Sequence, residues 1–303
     1  MLLSAQAPLH QLSAPQTVPL PTDARAAVER RVGSGASWQV LSGTEATATW
    51  RVGDPQTSAG AWRLRVGRGQ GARALLREAL VMSDLGRPVP ACRYEILHGQ
   101  REGTVWLARQ WFSGSTTWEA MSPLRNGMQD WRAIQAAAEL CIAVAELHEA
   151  GWVHANLDPG HAIHLPTGGV RLISCTWACG ASCRSAKGYE GGCVHYQAPE
   201  LVARMAQGCQ AIVTERAEVY SLAALLWHAA TGMWHLDYQR VGLSPETCSV
   251  SVLRSMHPRI PLAEGICRWP ELGTVLRRVL DAPAQRRPTA RRLARALSHL
   301  VAR

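Results

Sequence analysis

The sequence predicts an α+β fold, with a β-rich part followed by an α-rich part. Three observations lead there. Between residues 38 and 111 the apolar residues come in short runs, several alternating with polar ones, as in half-buried strands. Beyond Gly114 the apolar spacing lengthens to a helical period. Gly, Pro and Asp clusters punctuate both parts at the expected turns.

Taken in order, residues 1–28 are rich in Pro, Gln, Ala and Ser and read as a flexible arm. Residues 29–114 form a first lobe. Its strands are expected at 38–41, 46–52 and 61–66, with Gly53-Asp54-Pro55 as a turn. A helix over 72–85 stops at Gly86 and Pro88. Segments 92–97 and 104–111 read as a hairpin around Gly99–Gly103. Residues 115–303 form a second lobe. A long amphipathic helix is expected over 130–150, with short strands at 163–165 and 170–173. Further helices are expected at 219–231, 271–281 and 289–301.

Composition narrows the function classes. Hydrophobic residues are 47% and charged residues 18%, which excludes a disordered chain. Lys187 is the only lysine, so the net charge of +9 is an arginine charge. Arg-rich, Lys-poor usage with much Ala, Gly and Pro is the codon signature of a GC-rich, bacterial-type genome. The densest basic run, Arg286 to Arg295, reads as the solvated face of a terminal helix rather than a nucleic-acid site. Nine cysteines, with neither a signal-like start nor an apolar run of about 18 residues, point to a reducing cytoplasm and no membrane partner. Twelve tryptophans stand against one phenylalanine. Trp106 and Trp227 read as core, while Trp111, Trp118 and Trp234 could anchor a partner.

Five stretches then occur in a telling order. They are Leu147-His148-Glu149-Ala150-Gly151-Trp152-Val153-His154-Ala155-Asn156-Leu157-Asp158-Pro159, Val170-Arg171-Leu172-Ile173-Ser174-Cys175-Thr176-Trp177-Ala178, Gly192-Cys193-Val194-His195-Tyr196-Gln197-Ala198-Pro199-Glu200, Glu218-Val219-Tyr220-Ser221-Leu222, and Asp281-Ala282-Pro283 with Arg286-Arg287-Pro288-Thr289. Together they resemble the ordered motifs of eukaryotic-type Ser/Thr protein kinases over residues 33–303. The resemblance implies a bilobal protein-kinase-like fold, with a small β-rich lobe and a larger helical one. It also implies that Glu200 and Arg287 form a structural ion pair, with Glu218 a further structural residue.

The same resemblance implies that the reacting parts are gone. Phosphoryl transfer needs a Gly-rich loop, a strand lysine paired with a helix glutamate, magnesium ligands and a catalytic aspartate. The loop position, Ser42 to Thr49, holds one glycine. Arg63 or Arg65 stands at the lysine position, and Glu78 is the glutamate. The two arginines would either bind an anion or fill the cleft, so ATP binding is doubtful. Arg109 falls near the position that guards the back of that pocket. Asn156 replaces the aspartate and is a poor base. His161 and Ser174 replace the magnesium ligands. Asp158 is either a displaced base or a turn residue before Pro159.

Cys179, Cys183, Cys193 and His195 offer a possible zinc set, against packed thiols or a reversible disulfide. No other cofactor is expected. The implied function is a catalytically inactive pseudokinase that regulates or scaffolds through a protein partner, an active kinase being one candidate. The alternative is an atypical phosphotransferase, or a nucleotide- or anion-binding sensor, using the altered cleft.

Overall fold

A computed structural model describes residues 18–54, 60–85, 88–180, 189, 191–264 and 267–302. They form a mixed α+β structure that divides into two compact units. The first comprises the described residues up to Ala79, with Glu95–Trp111. The second comprises Leu80–Tyr94 and the described residues from Phe112 onward. The sequence reading placed the division at 114 and assigned 80–94 to the first part.

In the first unit, helix α1 (Thr22–Val32) precedes strands β1 (Ser37–Gly43), β2 (Thr47–Gly53) and β3 (Trp62–Arg68). Helix α2 (Gln70–Leu85) begins here and ends in the second unit. Strands β4 (Ile96–Arg101) and β5 (Thr104–Gln110) complete an antiparallel sheet in the order β1-β2-β3-β5-β4. Alternation divides its side chains between two faces. Trp50, Val52, Trp62, Leu64, Val66, Trp106 and Ala108 share one face, which packs on Val18, Ala24, Ala27 and Val28. Val105 and Leu107 lie on the other, against Ala72, Leu75 and Ala79 of α2. Gly67 and Gly71 let β3 and α2 approach: a Cβ on Gly67 would lie 2.6 Å from the Gly71 carbonyl carbon.

The flexible arm over 1–28 is therefore corrected at its C-terminal end; residues 1–17 lie outside the described residues. The Pro-rich composition hid a helix that starts just after Pro21 and buries Ala24, Ala27 and Val28 on one face. Asp23 in its first turn accepts a hydrogen bond from the Trp106 indole N–H at 2.8 Å.

The second unit continues with β6 (Ser115–Thr116), α3 (Thr117–Ala120), α4 (Ser122–Arg125) and α5 (Trp131–Glu149). Strands β7 (Trp152–Val153), β8 (Ala162–His164), β9 (Val170–Leu172) and β10 (Cys179–Gly180) form two small sheets, β6-β8-β9 and β10-β7. Helices α6 (Pro199–Ala206), α7 (Glu215–Thr231), α8 (Val250–Met256), α9 (Pro270–Leu280) and α10 (Ala290–Val301) follow. Asp130, Thr214 and Thr289 cap α5, α7 and α10 through their side-chain oxygens. Helix α7 carries buried residues all round, which suits a central helix. Among the described residues no helix is long and apolar enough to cross a membrane.

Candidate functional site

The first unit holds Arg63, Arg65 and Glu78. Alternation puts Trp62, Leu64 and Val66 into the core and turns both arginines to the opposite face. Arg65 is the one paired with Glu78, at 2.8 Å, and this carboxylate is nearly buried. Arg63 lies beside that pair. Burial lowers its pKa to about 10, helped by the nearby charges of Arg109 and Arg65 and opposed by Glu78.

The turn between β1 and β2 closes on itself. The Thr44 hydroxyl accepts from the backbone N–H groups of Ala46 and Thr47 at 3.3 and 3.1 Å. The Thr44 N–H donates to the Thr47 carbonyl at 2.7 Å. Backbone donors that a phosphate-cradling loop must leave open are already used.

In the second unit the loop 154–161 is built around Glu218. This carboxylate stands in the first turn of α7 and is buried. One oxygen accepts from the Ala155 N–H at 2.6 Å. The other accepts from the His154 N–H at 3.0 Å and lies 2.8 Å from His148 Nε2. Burial pushes the Glu218 carboxyl up, but the hydrogen bond and charge of His148, the charge of His154 and the Ala155 N–H together hold it below the usual carboxylate range.

From this anchor the loop is stapled by its own side chains. His154 Nδ1 accepts from the Asn156 N–H at 3.3 Å, which leaves Nε2 to donate to the Ile173 carbonyl at 3.0 Å. Asn156 donates through Nδ2 to the Ser174 carbonyl at 3.0 Å. His161 donates through Nδ1 to the Asn156 carbonyl at 2.8 Å. Asp158 Oδ1 accepts from the Gly160 N–H at 2.8 Å, an Asx turn. Ala155 and Ser174 both take left-handed backbone conformations, with φ of 59° and 63°. Each costs on the order of 1 kcal/mol in a residue with a Cβ, and the network around each fixes it.

The loop thus brings Asn156, Asp158 and His161 together with Ser174. Its one carboxylate, Asp158, is half-buried and engaged locally. An amide, an imidazole and a hydroxyl at the other positions make a poor set for a hard divalent cation.

Glu200 and Arg287 are joined by two hydrogen bonds, at 2.6 and 2.9 Å. Arg287 also donates to the carbonyls of Ala282 and Arg216, and its guanidinium lies 4.9 Å from the centre of the Tyr220 ring. The arginine is 2% exposed and the glutamate 40%, so the buried cation is the more demanding partner.

Of the cysteine set, Cys183 lies outside the described residues. Cys179 pairs with Val153 between β10 and β7. Burial raises the Cys193 thiol to about 11. His195 Nδ1 lies 2.6 Å from the Tyr238 hydroxyl, and its ring packs on Trp234. Among the described residues no group of three or more His, Cys, Asp or Glu side chains could hold a metal ion. Trp106 and Trp227 are buried. Trp234 is half-buried between the rings of His228 and His195, whereas Trp118 is 37% exposed under the Arg125 guanidinium. Trp111 is half-buried beside Arg51.

No family model and no curated protein matches the sequence. Sequence reasoning missed the His148 contact to Glu218. It also missed Tyr189, whose hydroxyl donates to the Ala155 carbonyl at 2.6 Å. The first had a signal, since His148 closes α5 inside the recognised stretch. The second had none.

Proposed function

We propose that the chain is a degenerate member of the protein-kinase fold, a pseudokinase that regulates or scaffolds a protein partner rather than transferring phosphate. One observation carries this reading. Glu218 holds the loop 154–161 in a fixed form, while the side chains at its reactive positions serve as internal staples. A loop so organised has kept its architecture with an amide where a base is needed. The closed Thr44 turn, and Arg65 in place of a lysine opposite Glu78, support the same reading. The bilobal arrangement of such a fold is part of the proposal, as is a protein partner, an active kinase being the natural one.

Calorimetric titration of ATP, with and without Mg²⁺ or Mn²⁺ and on protein assayed for bound zinc, tests it. The expected result is no binding that is strengthened by either divalent ion. ATP binding that requires one would overturn the reading, because divalent coordination by this loop would then survive. Asp158 favours a second reading, as the loop's carboxylate with one oxygen free of hydrogen bonds among the described residues: an atypical phosphotransferase. Transfer of label from nucleotide that disappears in Asp158→Ala would establish that activity. Absence of transfer from wild-type protein would dismiss it.

A further inference from the structure

The first unit aligns three arginines in one row across its sheet. The strand register sets Arg51 of β2 opposite Arg63 of β3, and Arg63 opposite Arg109 of β5. Directly opposed residues share a face, and neighbouring strands lie about 5 Å apart. Arg65 stands on the same face, two residues along β3, where Glu78 neutralises it. Like charges directly opposed across strands are destabilising, and this row has three of them side by side.

The outer two are tethered by backbone carbonyls. Arg51 Nη2 donates to the Asp54 carbonyl at 3.1 Å, and its guanidinium lies 5.6 Å from the Trp111 ring centre. Arg109 Nη1 donates to the Gln110 carbonyl at 2.9 Å. Both make further contacts of their own. Arg63, in the middle, differs. Its Nε is buried and has no hydrogen-bond partner. The charges of Arg109 and Arg65 oppose its own, and that of Glu78 relieves it. A buried charged donor without an acceptor costs free energy until something supplies one.

We infer that the Arg51–Arg63–Arg109 row is a binding site for a compact polyanion of the oligophosphate type. Guanidinium forks match phosphate oxygens two at a time, and a chain of phosphates can meet neighbouring forks at once. Binding would offset the repulsion along the row. The phosphates could be a free inorganic oligophosphate or the tail of a nucleotide. This site stands on the sheet of the first unit alone. It differs from metal-assisted nucleotide binding in a testable way, since Mg²⁺ would compete with the arginines for the same charge.

The test is calorimetric titration of the full chain with inorganic tripolyphosphate, ATP and adenosine, at low ionic strength in EDTA and again with excess Mg²⁺. Saturable tripolyphosphate binding, weakened by Mg²⁺, is expected. It should fall by about tenfold or more, roughly 1.4 kcal/mol, in Arg63→Gln and in Arg109→Gln. Arg292→Gln, at an exposed position of α10 in the second unit, should leave it unchanged. Equal affinity for ATP and tripolyphosphate would assign the site to the phosphates alone; tighter ATP binding would make a nucleotide the source. Arg63→Gln relieves like-charge repulsion, so its melting temperature should not fall below wild type, which separates lost binding from lost folding. No saturable binding, or binding indifferent to both substitutions, would overturn the inference.

Discussion

At the scale of single residues, Glu218 does the most with the fewest atoms. Two carboxylate oxygens satisfy two backbone N–H groups and one imidazole inside the second unit. Glu218→Gln keeps the volume but replaces one acceptor by an NH₂ group that cannot accept from an amide. A loss of about 2–4 kcal/mol is expected, read as a lower urea midpoint at unchanged slope. An unaltered midpoint would mean that the loop holds its form without this anchor. The position was legible because Glu218 opens a recognised stretch. The choice between Arg63 and Arg65 was not, because both alternate to the same face. Only the placement of α2 over the sheet decides which one meets Glu78.

At the scale of elements, helices with capping residues and clear apolar periods were read to within a few residues. The expected helix over 130–150 is α5, and the one over 289–301 is α10 with Thr289 as its cap. Helices α1, α3, α4, α6 and α8 were not foreseen. All but α1 are under ten residues long, and α1 sits behind prolines. Gly99, read as part of a turn, is a strand residue: a Cβ there would lie 2.7 Å from the Trp106 ring, so the glycine makes room for the indole. The turn itself is Glu102-Gly103, both residues with positive φ, between the paired Arg101 and Thr104. This is the two-residue hairpin geometry that favours Asn-Gly. Glu102→Asn should therefore stabilise the protein by about 0.5–1 kcal/mol, since the exposed Arg101 contact it removes is worth little. A melting temperature that falls instead would contradict this account of the turn.

At the scale of the whole molecule, buried imidazoles set the response to acid. Burial lowers His164, His228 and His257 to about 4, and drives His235 well below its ordinary 6.5. Both ring nitrogens of His257 are buried without a hydrogen-bond partner. The unfolded chain takes up these protons near pH 6.5; in the folded chain His164, His228 and His257 take theirs up only near pH 4, and His235 well below 6.5. The unfolded state thus binds more protons across that window, and stability falls as pH drops through it. His257, held to about 4, contributes a loss on the order of 3 kcal/mol by pH 4. Urea midpoints should be level above pH 7 and decline steeply below 6.5; a midpoint constant down to pH 5 would contradict it. None of this was legible from the sequence, where a histidine gives no sign of whether it will be enclosed. Helix α1 has a practical consequence of the same kind. A shortened chain begun at residue 29, where the composition changes, would strip the cover from Trp50, Trp62 and Trp106. Three indoles on one naked sheet face are an invitation to self-association, so a recombinant chain intended to remain in solution has to start before Val18.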